Sequence, residues 1–254
     1  MKNNTILDHH RAFTLLELMV TVGIIALLAA LAFPALGAFL ERGKQAAEMG
    51  AARSVMAGLH MYATDHNGAV LPGFYSPPSG FVTDREGRQI TGQEAKRYPW
   101  RLAPYLSYNI AEAFLASGQK VENTNQLAYM VSLVPTLGMN TAYLGGDERK
   151  SIHPFNPRTA ARFSEQGGIT RLVQAHQPSK MIAFVSGFYE DSRIGGKQPG
   201  YFSVEYPDRN VDFRHAGGKA MVVFLDGHTE LLTKEQLGNE QLWKNQSSGS
   251  LAMH

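Results

Sequence analysis

Residues 11–40 read RAFTLLELMVTVGIIALLAALAFPALGAFL, and the change of character at Phe13 governs the reading of the whole chain. From Leu18 to Leu40 no side chain is charged. At the helical rise of about 1.5 Å per residue this run covers about 35 Å, enough for the hydrocarbon core of a bilayer. Soluble helices are seldom apolar on every face for so long. A transmembrane helix over 13–40 is therefore expected, with a buried soluble helix as the plainer alternative. The segment in front of it, MKNNTILDHHRA, is polar and carries Lys2 and Arg11. A secretory signal would place a small-residue cleavage site behind the apolar run, whereas here the small residue Ala12 stands before it. The short basic leader favours a cytoplasmic N-terminus, with the rest of the chain outside the cytoplasmic membrane.

Two residues inside this region call for an explanation. A carboxylate near the end of a membrane helix, Glu17, costs about 2–3 kcal/mol or more and is a functional residue by default. The plainer reading is a negative charge resting near a helix N-terminus. Pro34 removes a backbone donor and disfavours the preceding turn, as a local kink or as a tolerated membrane-helix proline.

The helix should continue beyond the apolar run. Ala52, Val55, Met56, Leu59, Tyr62 and Ala63 recur at helical spacing, with Arg42, Lys44, Glu48 and Arg53 off that stripe. Lys44 and Glu48, four apart, are placed to pair across one turn. Asn67-Gly68 is a helix stop, with Pro72 shortly after. The expected organisation is a leader over 1–12, a transmembrane helix over 13–40, and an amphipathic continuation over 41–67. A globular domain over 68–245 and a loose tail over 246–254 complete the chain.

Within the globular part, residues 68–124 read as loop-rich, broken by Pro77-Pro78, Gly80, Gly87 and Pro99. The aromatic cluster from Tyr98 to Leu106 is expected to pack against the helix, with a carbohydrate or partner platform as the alternative. A short helix is expected over 125–134, a polar surface excursion over 145–168 including the solvated run Asp147 to Lys150, and a strand over Met181 to Val185. Three strands are expected at the end: Asn210 to His215, Lys219 to Leu225 and His228 to Leu232. Asp226-Gly227 between the last two carries the signature of a two-residue type I′ hairpin. A short helix with Trp243 follows over 233–245.

At Ala12-Phe13-Thr14-Leu15-Leu16-Glu17 and the apolar helix behind it, the chain resembles the prepilins of type IV pili and the pseudopilins of type II secretion systems. Ala12 stands where most members have glycine, and keeps its small size. The resemblance implies cleavage by a prepilin peptidase between Ala12 and Phe13 and methylation of the new amino terminus. It implies that Glu17 pairs with the amino terminus of Phe13 on a neighbouring subunit, and that Pro34 marks a locally opened helix in the filament. It further implies an α+β, pilin-like fold, with one long N-terminal helix packed by its second half on a small antiparallel sheet. The partners would be identical or related pilin subunits and an assembly platform in the cytoplasmic membrane. The C-terminal block RHAGGKAMVVFLDGHTE also resembles the His…Asp-Gly signature of planctomycete-type pilin-like proteins, with one residue more between His215 and Asp226.

Composition narrows the functional classes. A net charge of +2 argues against a protein devoted to nucleic acid. With no cysteine, thiolate metal sites and cysteine nucleophiles are excluded, as is the C-terminal disulfide loop of many true pilins, which favours the pseudopilin reading. No phosphate-binding glycine loop and no GxSxG or HExxH motif is present. His215, Asp226 and His228 are the one candidate metal or hydrolytic cluster, should the three strands bring them to one edge; a structural turn cluster is the simpler expectation. Asp65-His66-Asn67-Gly68 opens like a calcium loop without its later acidic ligand, so a helix-end cap is the preferred reading; no cofactor is expected, and calcium stays open without a ligand motif to support it. The expectation is a non-enzymatic subunit of a pseudopilus or type IV pilus-like filament. The alternative is a membrane-anchored extracytoplasmic module that binds carbohydrate or a surface protein.

Overall fold

The computed structural model describes residues 14–115, 124–152, 155–191 and 196–246, apart from the side chains of Ala32, Pro34, Ala35, Ala38, Thr124 and Asn125. The expected leader 1–12 and most of the expected tail lie outside the described residues. Two compact units are present, Met1–Gln45 and Ala46–His254.

In chain order the helices are α1 (Leu15–Asp65), α2 (Gly92–Lys96), α3 (Tyr98–Leu102), α4 (Ile110–Phe114), α5 (Thr124–Leu133), α6 (Pro157–Glu165) and α7 (Lys234–Leu237). The strands are β1 (Val82–Thr83), β2 (Gln89–Ile90), β3 (Leu137–Asn140), β4 (Ile182–Ser186), β5 (Phe188–Asp191), β6 (Gly196–Pro199), β7 (Ser203–Val204), β8 (Lys219–Phe224) and β9 (Thr229–Thr233). The fold is α+β with a long N-terminal helix.

The first unit is helical, and its apolar side chains, among them Leu18, Ile25, Leu31 and Phe39, are exposed. Among the described residues no helix is long and apolar enough to cross a membrane. The expected 13–40 span includes Phe13 and the side chain of Pro34, which lie outside the description. In the second unit the expected stripe is borne out: Ala52, Val55, Met56, Leu59, Tyr62 and Ala63 are all buried. The helix stops where Asn67 and Gly68 both take left-handed φ values, 54° and 81°, and the Gly68 N–H reaches back to the Ala63 carbonyl at 2.7 Å.

The principal sheet has the order β7-β3-β4-β8-β9. Its pairs are antiparallel except β3 with β7, which is parallel, so the sheet is mixed rather than purely antiparallel. Both faces are covered. On β8, Met221 and Val223 point into the core beneath α1 and α3, while Ala220, Val222 and Phe224 point into a second core with Leu237 and Trp243. On β4 this alternation is broken: Ala183 and Phe184 both belong to the first core, and Ile182 and Val185 to the second. The register shift between Ile182 and Phe184 is the cause, because an extra residue flips the faces. Trp243 is fully buried and donates its indole N–H to the Leu237 carbonyl at 2.8 Å. Buried Asn140 ties the two ends of this second core, donating to the carbonyls of Ile182 and Trp243.

Four further expectations are corrected. Residues 210–215 form no strand: Asn210 has φ 62°, and only isolated bridges at Val211 and His215 remain. The β8–β9 turn is not type I′, since only Gly227 is left-handed, at φ 95°. The Gly227 N–H bonds the Phe224 carbonyl and the Phe224 N–H bonds the His228 carbonyl, the pattern of a three-residue loop with a glycine bulge. The 145–168 stretch is not simply polar surface. Asp147 is fully buried, its carboxylate held by the backbone N–H and guanidinium of Arg149, whose own plane lies 4.6 Å from the Phe202 ring. Phe163 of α6 is buried as well. Lastly, Lys44 pairs with Glu41 at 3.0 Å, leaving Glu48 for a different partner.

Candidate functional site

The start of α1 is organised by two side chains. Thr14 Oγ1 accepts the Glu17 N–H at 3.2 Å, and Glu17 Oε2 accepts the Thr14 N–H at 3.0 Å and the Thr14 hydroxyl at 2.9 Å. This is a reciprocal capping box, and it satisfies backbone donors that a helix start otherwise leaves open. The pattern Thr14-x-x-Glu17 before an apolar run carries this signal in the sequence, beyond the charge and position of Glu17. The expected cleavage pair, Ala12 and Phe13, lies outside the described residues.

Within the second unit, α1 is fastened to the C-terminal block by an ion-pair cluster. Arg214 Nη2 lies 2.6 Å from Glu48 Oε1 and its Nε 3.3 Å from Oε2. The same guanidinium meets Asp212 Oδ2 at 3.1 Å and the carbonyls of Gly187 and Thr136. Lys197 closes the network on Asp212 at 3.1 Å. His215 Nε2 stands 3.4 Å from Glu48 Oε2, within ion-pair range but without hydrogen-bond geometry. Burial alone would raise the Glu48 carboxyl, yet His215 and Arg214 together hold it below the ordinary carboxylate range.

The three residues expected to cluster are not brought together. His215 faces Glu48 at one end of β8, and Asp226 and His228 sit at the turn beyond its other end. The intervening strand is about 20 Å long at 3.4 Å per residue. At the turn, Asp226 Oδ1 accepts the His228 N–H at 3.1 Å and lies 2.6 Å from its Nδ1, while the imidazole stacks on Phe224 at 4.3 Å. Burial opposes ionisation of Asp226, but the His228 backbone and ring bonds prevail and lower its carboxyl. Among the described residues no group of histidine and acid side chains could hold a metal ion. Asp65 and His66 form part of the helix end, with His66 Nδ1 2.8 Å from the Tyr62 carbonyl.

The aromatic segment 98–106 is core, as expected: Tyr98, Trp100, Leu102 and Leu106 are buried, and the Tyr98 hydroxyl donates to the Leu137 carbonyl at 2.5 Å. Burial pushes that phenol well above its ordinary range.

Residues 7–33 match the prokaryotic N-terminal methylation motif. The match does not extend to the C-terminal His215–Asp226 block. No curated protein and no solved structure matches the chain. The motif falls on the polar-to-apolar junction and on the capped start of α1, so the chain carries a type IV prepilin-like N-terminal segment.

Proposed function

We infer that the protein is a structural subunit of a type II secretion pseudopilus or type IV pilus-like filament. The observation that carries this reading is the methylation motif over 7–33, set on a helix whose apolar side chains are exposed. Leaving such side chains in water costs about 25 cal/mol per Å² of apolar surface, so they need a lipid or protein environment. In the proposed cycle a prepilin peptidase cuts between Ala12 and Phe13, and the helix anchors the subunit in the cytoplasmic membrane with its C-terminal unit outside. An assembly platform then passes it into a filament of identical or related subunits. Glu17 is neutralised there by the Phe13 amino terminus of a neighbour, and Pro34 loosens the helix for packing. The capping box supports a role for Glu17 by holding its carboxylate beside the residue that follows Phe13.

Two measurements test this. The intact mass of protein purified from native membranes should correspond to a chain beginning at methylated Phe13; retention of Met1 to Ala12 would refute processing. Electron microscopy should show filaments containing the subunit, and Glu17→Ala should remove it from them while the protein remains in the membrane fraction. Unchanged incorporation of that variant would refute the pairing.

A further inference from the structure

One cavity of the second unit is lined by a cation, Arg101, that has no carboxylate within ion-pair distance among the described residues. About 360 Å³ opens between the end of α1, the loop at 75–83 and the segment 98–105. One wall is aromatic. Tyr62 and His66 stack with centroids 3.9 Å apart, and Tyr105 meets Tyr62 edge-on at 5.7 Å. His66 is exposed and Tyr105 half-buried, so ring surface faces the opening.

Arg101 lines the same cavity. One of its terminal nitrogens donates to the Pro72 carbonyl, and its buried Nε has no hydrogen-bond partner among the described residues. The neighbouring acids are engaged elsewhere: Asp147 with Arg149, and Glu148 with the N–H and hydroxyl of Ser76. Among the described residues no carboxylate stands within ion-pair distance of Arg101. Burial is the largest influence and pulls its pKa down to about 10, although Tyr62, Glu148, Tyr75 and Asp147 nearby act in the opposite direction.

We propose that this cavity binds a carboxylate-bearing sugar, a hexuronic acid unit of an acidic polysaccharide. The carboxylate meets the Arg101 guanidinium, and the apolar face of the pyranose stacks on the ring surface of His66 and Tyr105. Arginine is the side chain best suited to carboxylates, and aromatic faces suit the C–H surface of a sugar ring. The volume is at the small end for ligand pockets, about 300–1,000 Å³, and fits one or two rings. Inorganic phosphate would satisfy the arginine but leave the aromatic wall uncovered. A neutral sugar would cover the wall and leave the guanidinium unpaired. This site goes beyond the filament reading and does not depend on it.

The probe is trigalacturonate, titrated calorimetrically into the full-length protein in detergent micelles, with uncharged galactotriose as control. Saturable binding of the acidic trimer is expected, at least tenfold tighter than the neutral one and weakening as salt is added. Arg101→Met and Tyr105→Ala should each lower the affinity at least tenfold. If Arg101→Met does not fold, the comparison of charged and neutral trimers together with Tyr105→Ala decides. No saturable binding of trigalacturonate, equal binding of galactotriose, or full affinity in Tyr105→Ala would overturn the proposal.

Discussion

Replacing Glu48 by alanine removes one half of a nearly buried ion pair and tests what holds α1 to the C-terminal block. In the native protein Arg214 Nη2 is 2.6 Å from Glu48 Oε1, with both side chains mostly shielded from solvent. Breaking one partner of such a pair generally costs about 3–5 kcal/mol, because the other charge stays buried and uncompensated. Here the loss is smaller, since Arg214 retains Asp212 Oδ2 at 3.1 Å and the carbonyls of Gly187 and Thr136 at 3.1 and 3.3 Å. A cost of about 2–3 kcal/mol follows once those remaining bonds are counted. For a unit of this size each kcal/mol shifts the midpoint by about 2–4 °C, so Glu48→Ala should melt about 5–10 °C lower. Tryptophan fluorescence of the full chain in detergent is a suitable readout, because Trp100 and Trp243 are both buried in the second unit. The double variant Glu48→Ala/Arg214→Met should be less destabilised than the sum of the single variants by about 1–3 kcal/mol, the signature of direct coupling. A Glu48→Ala midpoint within about 2 °C of wild type, against the expected shift, would show that the pair is not an anchor.

The same carboxylate sets an acid limit: its folded pKa lies below its ordinary value of 4.5, so its contribution is complete above that value and is lost as pH falls through the lower folded one. Thermal midpoints measured from pH 6 to pH 3 should therefore fall more steeply in wild type than in Glu48→Gln. Trp243→Ala empties the centre of the second core and should cost about 3–5 kcal/mol in chemical denaturation, far more than an exposed substitution. Gly145→Ala should be severely destabilising, because an added Cβ would stand 2.3 Å from the Leu71 carbonyl oxygen at φ 72°. Gly68→Ala, at φ 81° in open space, pays only the left-handed backbone penalty of about 1–2 kcal/mol, and the two melting curves side by side separate clash from conformation.

Several features were legible because they depend on neighbours in sequence. The stripe from Ala52 to Ala63 emerged as a buried helix face, since periodicity alone puts those side chains on one side. The Asn67-Gly68 stop and the strand near Met181 to Val185 are likewise local. The β8–β9 hairpin was visible at Asp226-Gly227, but its loop length was not, because Asp226 keeps a negative φ and Gly227 alone takes the positive one. The burial of Asp147 is hidden from the sequence for a related reason. A run of alternating charge reads as solvated until Phe74 and Phe202 supply a surface on which the Arg149 guanidinium can lie.

By itself, then, the sequence determined the prepilin-like junction at Phe13, the Gly-marked end of the long helix, and the apolar face that the helix turns to its core. Each follows from backbone geometry acting over a few residues. Only the tertiary structure decided that Glu48 reaches Arg214 instead of Lys44, that both faces of β8 are buried, and that His215 and Asp226 are held apart by the length of a strand. Those outcomes depend on which distant segments meet, and burial of apolar surface selects such meetings over the whole chain, not within any one window of it.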